Sequence, residues 1–551
     1  MRQAVAETLR RHADRPALVA ESGDVWTYAR LETEARAVAA ELPGPCLTVI
    51  EGGNAPTTIA AYLGVLLNGG LAHLAESGRA DALRAAFGPL ALIRCGEAET
   101  QVETGDEADS GAAVHPDLVL LFSTSGTTGA SKMVKITNGA IRSNTEAIVD
   151  YLGLTAQDRA ITSLKPTYTY GLSVIHSTLL SGGALLLTDR SVQDPAFWRF
   201  ARTHGATTLS GVPHTWEVLA DGDDLERTPS LRLLTQAGGK LRPELVRRFA
   251  ERGRKAGWDF YVMYGQTEAA PRMAYLPPKL AETAPEAMGV AIPGGELSLQ
   301  DEQGRVIDAP ETEGELIYRG PNVMAGYATR RTDLAAAESL GRLATGDLAV
   351  RRPDGLFVIT GRRSRFIKPM GVRIGLDEVE RLLAARGVTA AAVAQGEGLR
   401  VVCEGLETTA TAHLAAHLAQ ELGLPATLVE TQRVDALPRL PSGKLDYGAL
   451  KPTAPDKLWL PAHPLRFARD TAQEAWRLLT GGGDRARAVI DVFSDVLRRP
   501  VTMTDSFTSL GADSLNYVEL SVALEDVMGR LPDGWTHMSV ETLEHRREAW
   551  S

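Results

Sequence analysis

At 551 residues the chain exceeds one ordinary domain, and about two to four are expected. A hydrophobic fraction of 44% and a charged fraction of 23% match soluble globular proteins, and the formal net charge of -11 excludes a general binder of nucleic-acid backbone, which needs concentrated Lys and Arg. Cys46, Cys95 and Cys403 lie far apart without a CxxC pattern, no apolar run reaches the ~18 residues of a membrane span, and the N-terminus is charged from the start, so a reducing cytoplasm is expected, with no disulfide framework, structural zinc, export signal or membrane partner.

From Met1 to Gly361, segments rich in Val, Leu and Ile alternate with Ala-rich stretches of helical period, which predicts a large α/β layered domain. Within it, "DLVLLF" predicts a buried strand and "NGAIRSNTEAIVDYLG", from Asn138, a helix. Between them runs "STSGTTGASKMVKIT", where side chains shrink to hydroxyls and hydrogens. Strand, small-residue loop and helix is a phosphate-binding order: glycines admit an anion to the backbone, hydroxyls and amides donate to it, and Lys132 and Lys135 add positive charge. The loop is not of the Gly-Lys-Ser/Thr type, since Gly129 is followed by Ala130 and Ser131 before Lys132. Taken alone it is equally an ordinary surface turn.

After Gly361 the elements become smaller. "LDEVERLLAARG" predicts a helix, "VTAAAVAQ" and "LRVVCEG" strands, and "TTATAHLAAHLAQELG" a helix ending at Gly423, a compact α+β module over residues 362–452. Residues 453–483, with their prolines and Gly481-Gly482-Gly483, predict a linker. The tail, 484–551, predicts a small helical bundle: "RARAVIDVFSDVLRR" stops at Pro500, and Leu515, Val518 and Val522 share a helix face.

Four further motifs follow the glycine loop in order: "MYGQTEAAPRM", "EGELIYRGPNVMAGYATR", "ATGDLAVRRPDGLFVITGRRSRFIKPMGVRI" and "LPRLPSGKLDYGAL". Together they resemble the signatures of the adenylate-forming superfamily of acyl-CoA synthetases, peptide-synthetase adenylation domains and beetle luciferases, over about Ala17 to Lys451. The resemblance implies a large adenylation domain at 1–361, a mobile lid at 362–452, and ATP and Mg²⁺ as cofactors. It implies that Ser123, Thr124, Ser125, Gly126, Thr127, Thr128, Gly129 and Lys132 cover the β- and γ-phosphates, although Ser131 and Met133 replace the usual Pro-Lys-Gly ending. Thr267 would meet the α-phosphate, Glu268 would hold Mg²⁺, and Tyr264, with Gly265 beside it, would lie against the adenine along the Gly238-Gly239 step. Asp347 would accept from both ribose hydroxyls, backed by Arg362 on the next strand, and Lys444 would swing in to bridge the attacking carboxylate and the α-phosphate. Ser364 stands at the hinge, where the family carries Asp or Lys.

Amino-acid-activating relatives bind the α-ammonium through an aspartate, and Gly171 stands at that place here. The ammonium would lack a counter-ion, so the expected substrate is a carboxylic acid other than an α-amino acid. Tyr168, Tyr170, Gly171, His176, Val212, His214 and Gly265 either line the acyl pocket or serve as core or gate residues; for His176 the core alternative is the stronger. In the tail, "DSFTSLGADSLNYVEL" resembles the attachment site of acyl and peptidyl carrier proteins, with Ser514 carrying 4′-phosphopantetheine. That implies a phosphopantetheinyl transferase and a separate downstream acyl-accepting enzyme as partners. The expected activity is ATP-dependent activation of an acid to acyl-AMP and loading of the chain's own carrier in a biosynthetic assembly line. The rivals are a ligase that releases free acyl-CoA and a catalytically silent docking scaffold.

Overall fold

The apolar runs of the first 361 residues become parallel strands buried on both faces, which is why they show little polar alternation. The computed structural model describes residues 1–88, 90–97, 99–104, 114–123, 132–363, 365–367, 369, 374–395, 398–406, 408–422, 424–425, 428–440, 444–450, 488–497, 499–507, 509–510, 520, 523–524, 527–528, 531–532 and 535–550. The chain divides into two compact units, Met1–Thr453 and Ala454–Ser551.

The first unit contains a nine-stranded sheet in the order Val290–Ala291, Arg272–Leu276, Asp259–Gly265, Leu233–Gln236, Thr208–Gly211, Arg159–Ile161, Ala184–Leu187, Pro16–Ala20 and Val25–Thr27. Its interior is parallel, and only the outer strands turn antiparallel. A seven-stranded sheet runs Tyr327–Ala328, Met133–Thr137, Leu118–Ser123, Leu71–Ala75, Leu47–Glu51, Ala91–Cys95 and Thr100–Glu103. The helices Pro56–Asn68 and Thr169–Leu180 are buried around most of their circumference. They share one core with strands of both sheets, through Ile59, Tyr62, Leu172, Ile50, Val119 and Leu185. A second core, on the other face of the nine-stranded sheet, packs Trp198, Trp216, Phe249 and Phe260. A four-stranded antiparallel sheet, Glu296–Gln300, Gly314–Arg319, Arg342–Arg351 and Phe357–Arg362, completes the large part.

One expectation needs correcting. The strand Met133–Thr137 pairs antiparallel with Leu118–Ser123 before the helix Asn138–Leu152 begins, so the glycine loop closes a hairpin and does not lead into a helix. Thr137 caps that helix, its hydroxyl accepting from the Ala140 amide at 3.1 Å. An anion at the loop therefore depends on loop amides, hydroxyls and cations, not on a helix terminus. Lys135 is not one of those cations: it lies buried in the new strand, and its ammonium donates to the Asp333 and Ala336 carbonyls at 2.8 and 2.9 Å.

After Gly361, helices Leu376–Ala384 and Thr408–Glu421 accompany the strands Ala390–Gln395, Gly398–Glu404 and Val429–Val434. Its own core joins Val379, Leu383, Val401 and Leu418. Arg365 organises one side, pairing with Asp377 and Glu380 while its Cζ lies 3.9 Å from the Tyr447 ring centre. In the second unit, helices Val489–Leu497 and Val540–Trp550 pack through Val492, Phe493 and Leu543 with Trp535. Leu515, Val518, Val522 and residues 481–483 lie outside the described residues. No helix among the described residues is long and apolar enough to cross a membrane.

Phe249 is fully buried, 5.2 Å from Trp216 and 5.3 Å from Phe260 between ring centres. Phe249→Ala is expected to destabilise the first unit by about 3–5 kcal/mol through lost burial and a residual cavity, read as a lower midpoint in thermal unfolding.

Candidate active site

The strand Asp259–Gly265 leaves the sheet into a short 3₁₀ turn, Thr267–Ala269, which holds two of the expected site residues, Thr267 and Glu268. Gly265 is required there by backbone packing, since a Cβ would run into the Pro271 carbonyl across the hairpin. The Thr267 hydroxyl lies 3.2 Å from that of Thr169, at the start of the buried helix Thr169–Leu180. Glu268 accepts from the Tyr327 hydroxyl at 2.9 Å, and no other donor among the described residues reaches its carboxylate. Lys132 lies 5.7 Å from the centre of the same Tyr327 ring.

Asp347 is a strand residue, not a turn residue, and is 3% exposed. One of its oxygens accepts from the Tyr264 hydroxyl at 2.5 Å and from Gln266 at 2.9 Å, while the other pairs with Arg362 Nε at 2.9 Å. Asp347 and Arg362 are direct cross-strand partners, which fixes that pair through sheet register. Three of the carboxylate's roughly four acceptor positions are thus engaged. Tyr264 is held protonated, its pKa raised well above the ordinary value first by burial and then by the Asp347 charge.

Gly238 has φ +90°, and a Cβ there would lie 2.5 Å from the Tyr168 hydroxyl and 3.3 Å from Val212 Cγ1. The Gly238-Gly239 step, Tyr168 and Val212 therefore form one wall, with Gly239 against Pro213. Burial pushes the Tyr168 phenol up to about 12. Lys444 reaches this wall from the small module: its ammonium lies 5.9 Å from the Tyr168 ring centre. Although much of the residue's surface is accessible, its pKa is lowered, first by desolvation of the ammonium and then by Arg362, with Glu268 and Asp347 opposing. Arg439, on the same segment, pairs with Glu217 of the large part at 3.5 Å.

Two acyl-pocket expectations change, and His176 takes the alternative given as the stronger. His176 lies in the core between the helices Arg2–Arg11, Pro56–Asn68 and its own, bonded to the Tyr62 hydroxyl at 2.8 Å, and burial drives its pKa to about 3. Its place on a wholly buried helix face removes it from the cleft. Tyr170 is also buried, its hydroxyl donating to the Thr235 carbonyl at 2.9 Å, so that hydroxyl is spent on a neighbouring strand and only the ring is left to line the wall. Gly171 is glycine because a Cβ would collide with the Lys165 carbonyl. Its bareness reflects backbone packing, and in this backbone no aspartate fits at that position. His214 is half-exposed beside Glu217, at 3.7 Å on one helix.

Sequence reading passed over Thr169, Gln266, Tyr327 and Arg272. Each stands inside or beside a quoted motif, but its partner is tens of residues away. Thr124, Ser125, Gly126, Thr127, Thr128 and Gly129, together with Ser131, Ser364 and Ser514, lie outside the described residues. No cluster of three or more His, Cys, Asp or Glu suited to a metal occurs among the described residues. Magnesium bound through substrate phosphates needs only one or two carboxylates, and the open side of Glu268 fits that requirement.

A family model described as AMP-binding enzyme matches residues 71–328, and one described as phosphopantetheine attachment site matches residues 487–544. The chain is 32% identical over 371 residues to the L-proline--[L-prolyl-carrier protein] ligase of Streptomyces coelicolor, covering 64% of this chain and 69% of that protein. It is 29% identical over 549 residues to the phenyloxazoline synthase of Mycolicibacterium paratuberculosis, covering 92% of this chain but only 45% of that longer protein. Among solved structures, the o-succinylbenzoate CoA synthetase of Bacillus subtilis superposes with a TM-score of 0.64 at 23% identity, over 83% of this chain and 99% of that one. An ATP-bound MatB from Rhodopseudomonas palustris gives 0.65 at 22%, over 82% and 98%. At these identities the likeness is one of fold.

Gly171→Asp, the substitution that would mimic an amino-acid-binding relative, is expected to cost about 3 kcal/mol or more through backbone collision, without creating amino-acid activation. Thermal unfolding and amino-acid-dependent ATP–pyrophosphate exchange check the two parts.

Proposed function

The chain belongs to the AMP-binding enzymes, and on that premise we propose that its cleft activates a carboxylic acid with ATP and passes the acyl group to a carrier arm on Ser514 of the same chain. The observation that carries the reading is Lys444: an ammonium delivered by the small module to the Tyr168 wall, within the electrostatic influence of both Glu268 and Asp347. In this reading residues 1–361 form the cleft, 362–452 its lid, 453–483 a linker and 484–551 the carrier.

In the first half-reaction a carboxylate oxygen attacks the α-phosphorus, the bond to the bridging oxygen breaks, and pyrophosphate leaves. Two anions must meet, and a cation between them lowers the barrier most when water is excluded. Lys444 supplies that charge from a segment tethered by Arg439–Glu217. The Thr267 and Thr169 hydroxyls, 3.2 Å apart, supply neutral donors. Asp347 keeps about one acceptor position for a ribose hydroxyl, while Tyr264 and Arg362 hold it in place. Mg²⁺, held by Glu268, would neutralise phosphate charge. The thiol of 4′-phosphopantetheine on Ser514, installed by a phosphopantetheinyl transferase, would accept the acyl group for a downstream enzyme. Three free cysteines, two of them buried, are consistent with a reducing cytoplasm.

Two experiments test this. With the arm installed, ATP and a panel of acids, the intact mass of the chain is expected to rise by one acyl group, and Ser514→Ala to lose that gain while keeping ATP–pyrophosphate exchange. Acyl-CoA accumulating in preference to acylated protein would reverse the assignment of acceptor. Lys444→Ala is expected to slow exchange by a factor on the order of 10²–10³. Because its pKa is lowered, the useful charged form is lost as pH rises through a value below the ordinary 10.5. The wild-type rate should therefore fall on the alkaline side, and Lys444→Arg should move that limb upward.

A further inference from the structure

Among the described residues, Arg272 is a cation without a paired carboxylate. It opens the strand Arg272–Leu276 directly across from Gly265, and it is 3% exposed. Its backbone is clamped: the carbonyl accepts from Asn144 and Asn322, both at 2.8 Å. The guanidinium lies 4.1 Å from the Tyr170 ring centre, and Nη2 donates to Ser173 Oγ at 3.3 Å. Tyr151 is its other polar neighbour. Nε is buried with no acceptor, and no carboxylate among the described residues pairs with the group.

Such an arrangement is costly. Arginine cannot shed its proton, and a buried charge facing only hydroxyls and rings loses more hydration than those neighbours return. A long apolar side chain would be the more stable occupant. The missing anion must then come with something that binds. Position identifies what: ring centres of Tyr168 and Tyr170 are 6.2 Å apart, with Lys444 at the outer ring and Arg272 at the inner one. Two cations thus stand at the two ends of one pair of tyrosine rings.

We propose that the acid activated here is a dicarboxylic acid, whose reacting carboxylate meets Lys444 while its second carboxylate is received by Arg272. This rests on the reading that the cleft activates a carboxylic acid. Arg272 is a specificity residue, remote from the reacting atoms, so it acts on substrate affinity. An α-ammonium brought to the same end would meet a like charge in a place with little water, and would be rejected.

The test uses the full chain and ATP–pyrophosphate exchange with succinic, glutaric, adipic and isophthalic acids, each against its monomethyl ester. At least one diacid is expected to exceed its half-ester in kcat/KM by on the order of 100-fold, the usual consequence of leaving a buried charge unpaired. Arg272→Met should abolish that preference by raising KM for the diacid while kcat changes little, and Arg272→Lys should retain part of it. Without acid, Arg272→Met should melt no lower than wild type. Half-esters used as well as diacids would overturn the proposal and leave acid activation standing. Equal loss with mono- and diacids in a destabilised Arg272→Met would also overturn it, in favour of a structural role. No exchange with any acid would overturn both readings.

Discussion

The buried carboxylate of Asp347 is the constraint around which the cleft is organised. It gathers Tyr264 and Gln266 from the end of the strand Asp259–Gly265 and Arg362 from the strand paired with its own. A charge this deeply buried persists only when most of its acceptor positions are answered, so its partners are held in place. The same hub leads into the small module, because Arg362 ends the last strand of the large part and its amide donates to Asp377 there at 2.7 Å.

Positive charge is rationed around that hub. Lys135 is spent on carbonyls in the hairpin, Arg365 on its own module, and Arg362 on Asp347. Lys444 and Arg272 alone face the tyrosine wall without a direct carboxylate partner among the described residues. Lys444 is carried on a segment beyond the strand Val429–Val434, whereas Arg272 is clamped through its backbone near a sheet edge. A flexible cation suits a transient charge and a rigid one suits recognition.

Much was legible in the chain itself. Short apolar runs marked the buried strands, and periodic segments such as Leu376–Ala384 and Val489–Leu497 marked helices, because these signals are local. The motifs around Thr267, Asp347 and Lys444 were found because each carries its residues contiguously. The strand Met133–Thr137 was missed because five residues between a loop and a capped helix read as the loop's end.

What the sequence by itself determined is the identity of the chemical groups and the elements that carry them: the Gly238-Gly239 step, the turn at Thr267, the late lysine. Only the tertiary structure decided which of them meet. It removed His176 from the cleft, committed the Tyr170 hydroxyl to Thr235, explained Gly171 by the Lys165 carbonyl, and exposed the unanswered charge of Arg272. The reason is physical: burial, close backbone approach and charge pairing depend on neighbours tens to hundreds of residues away, and no local pattern records them.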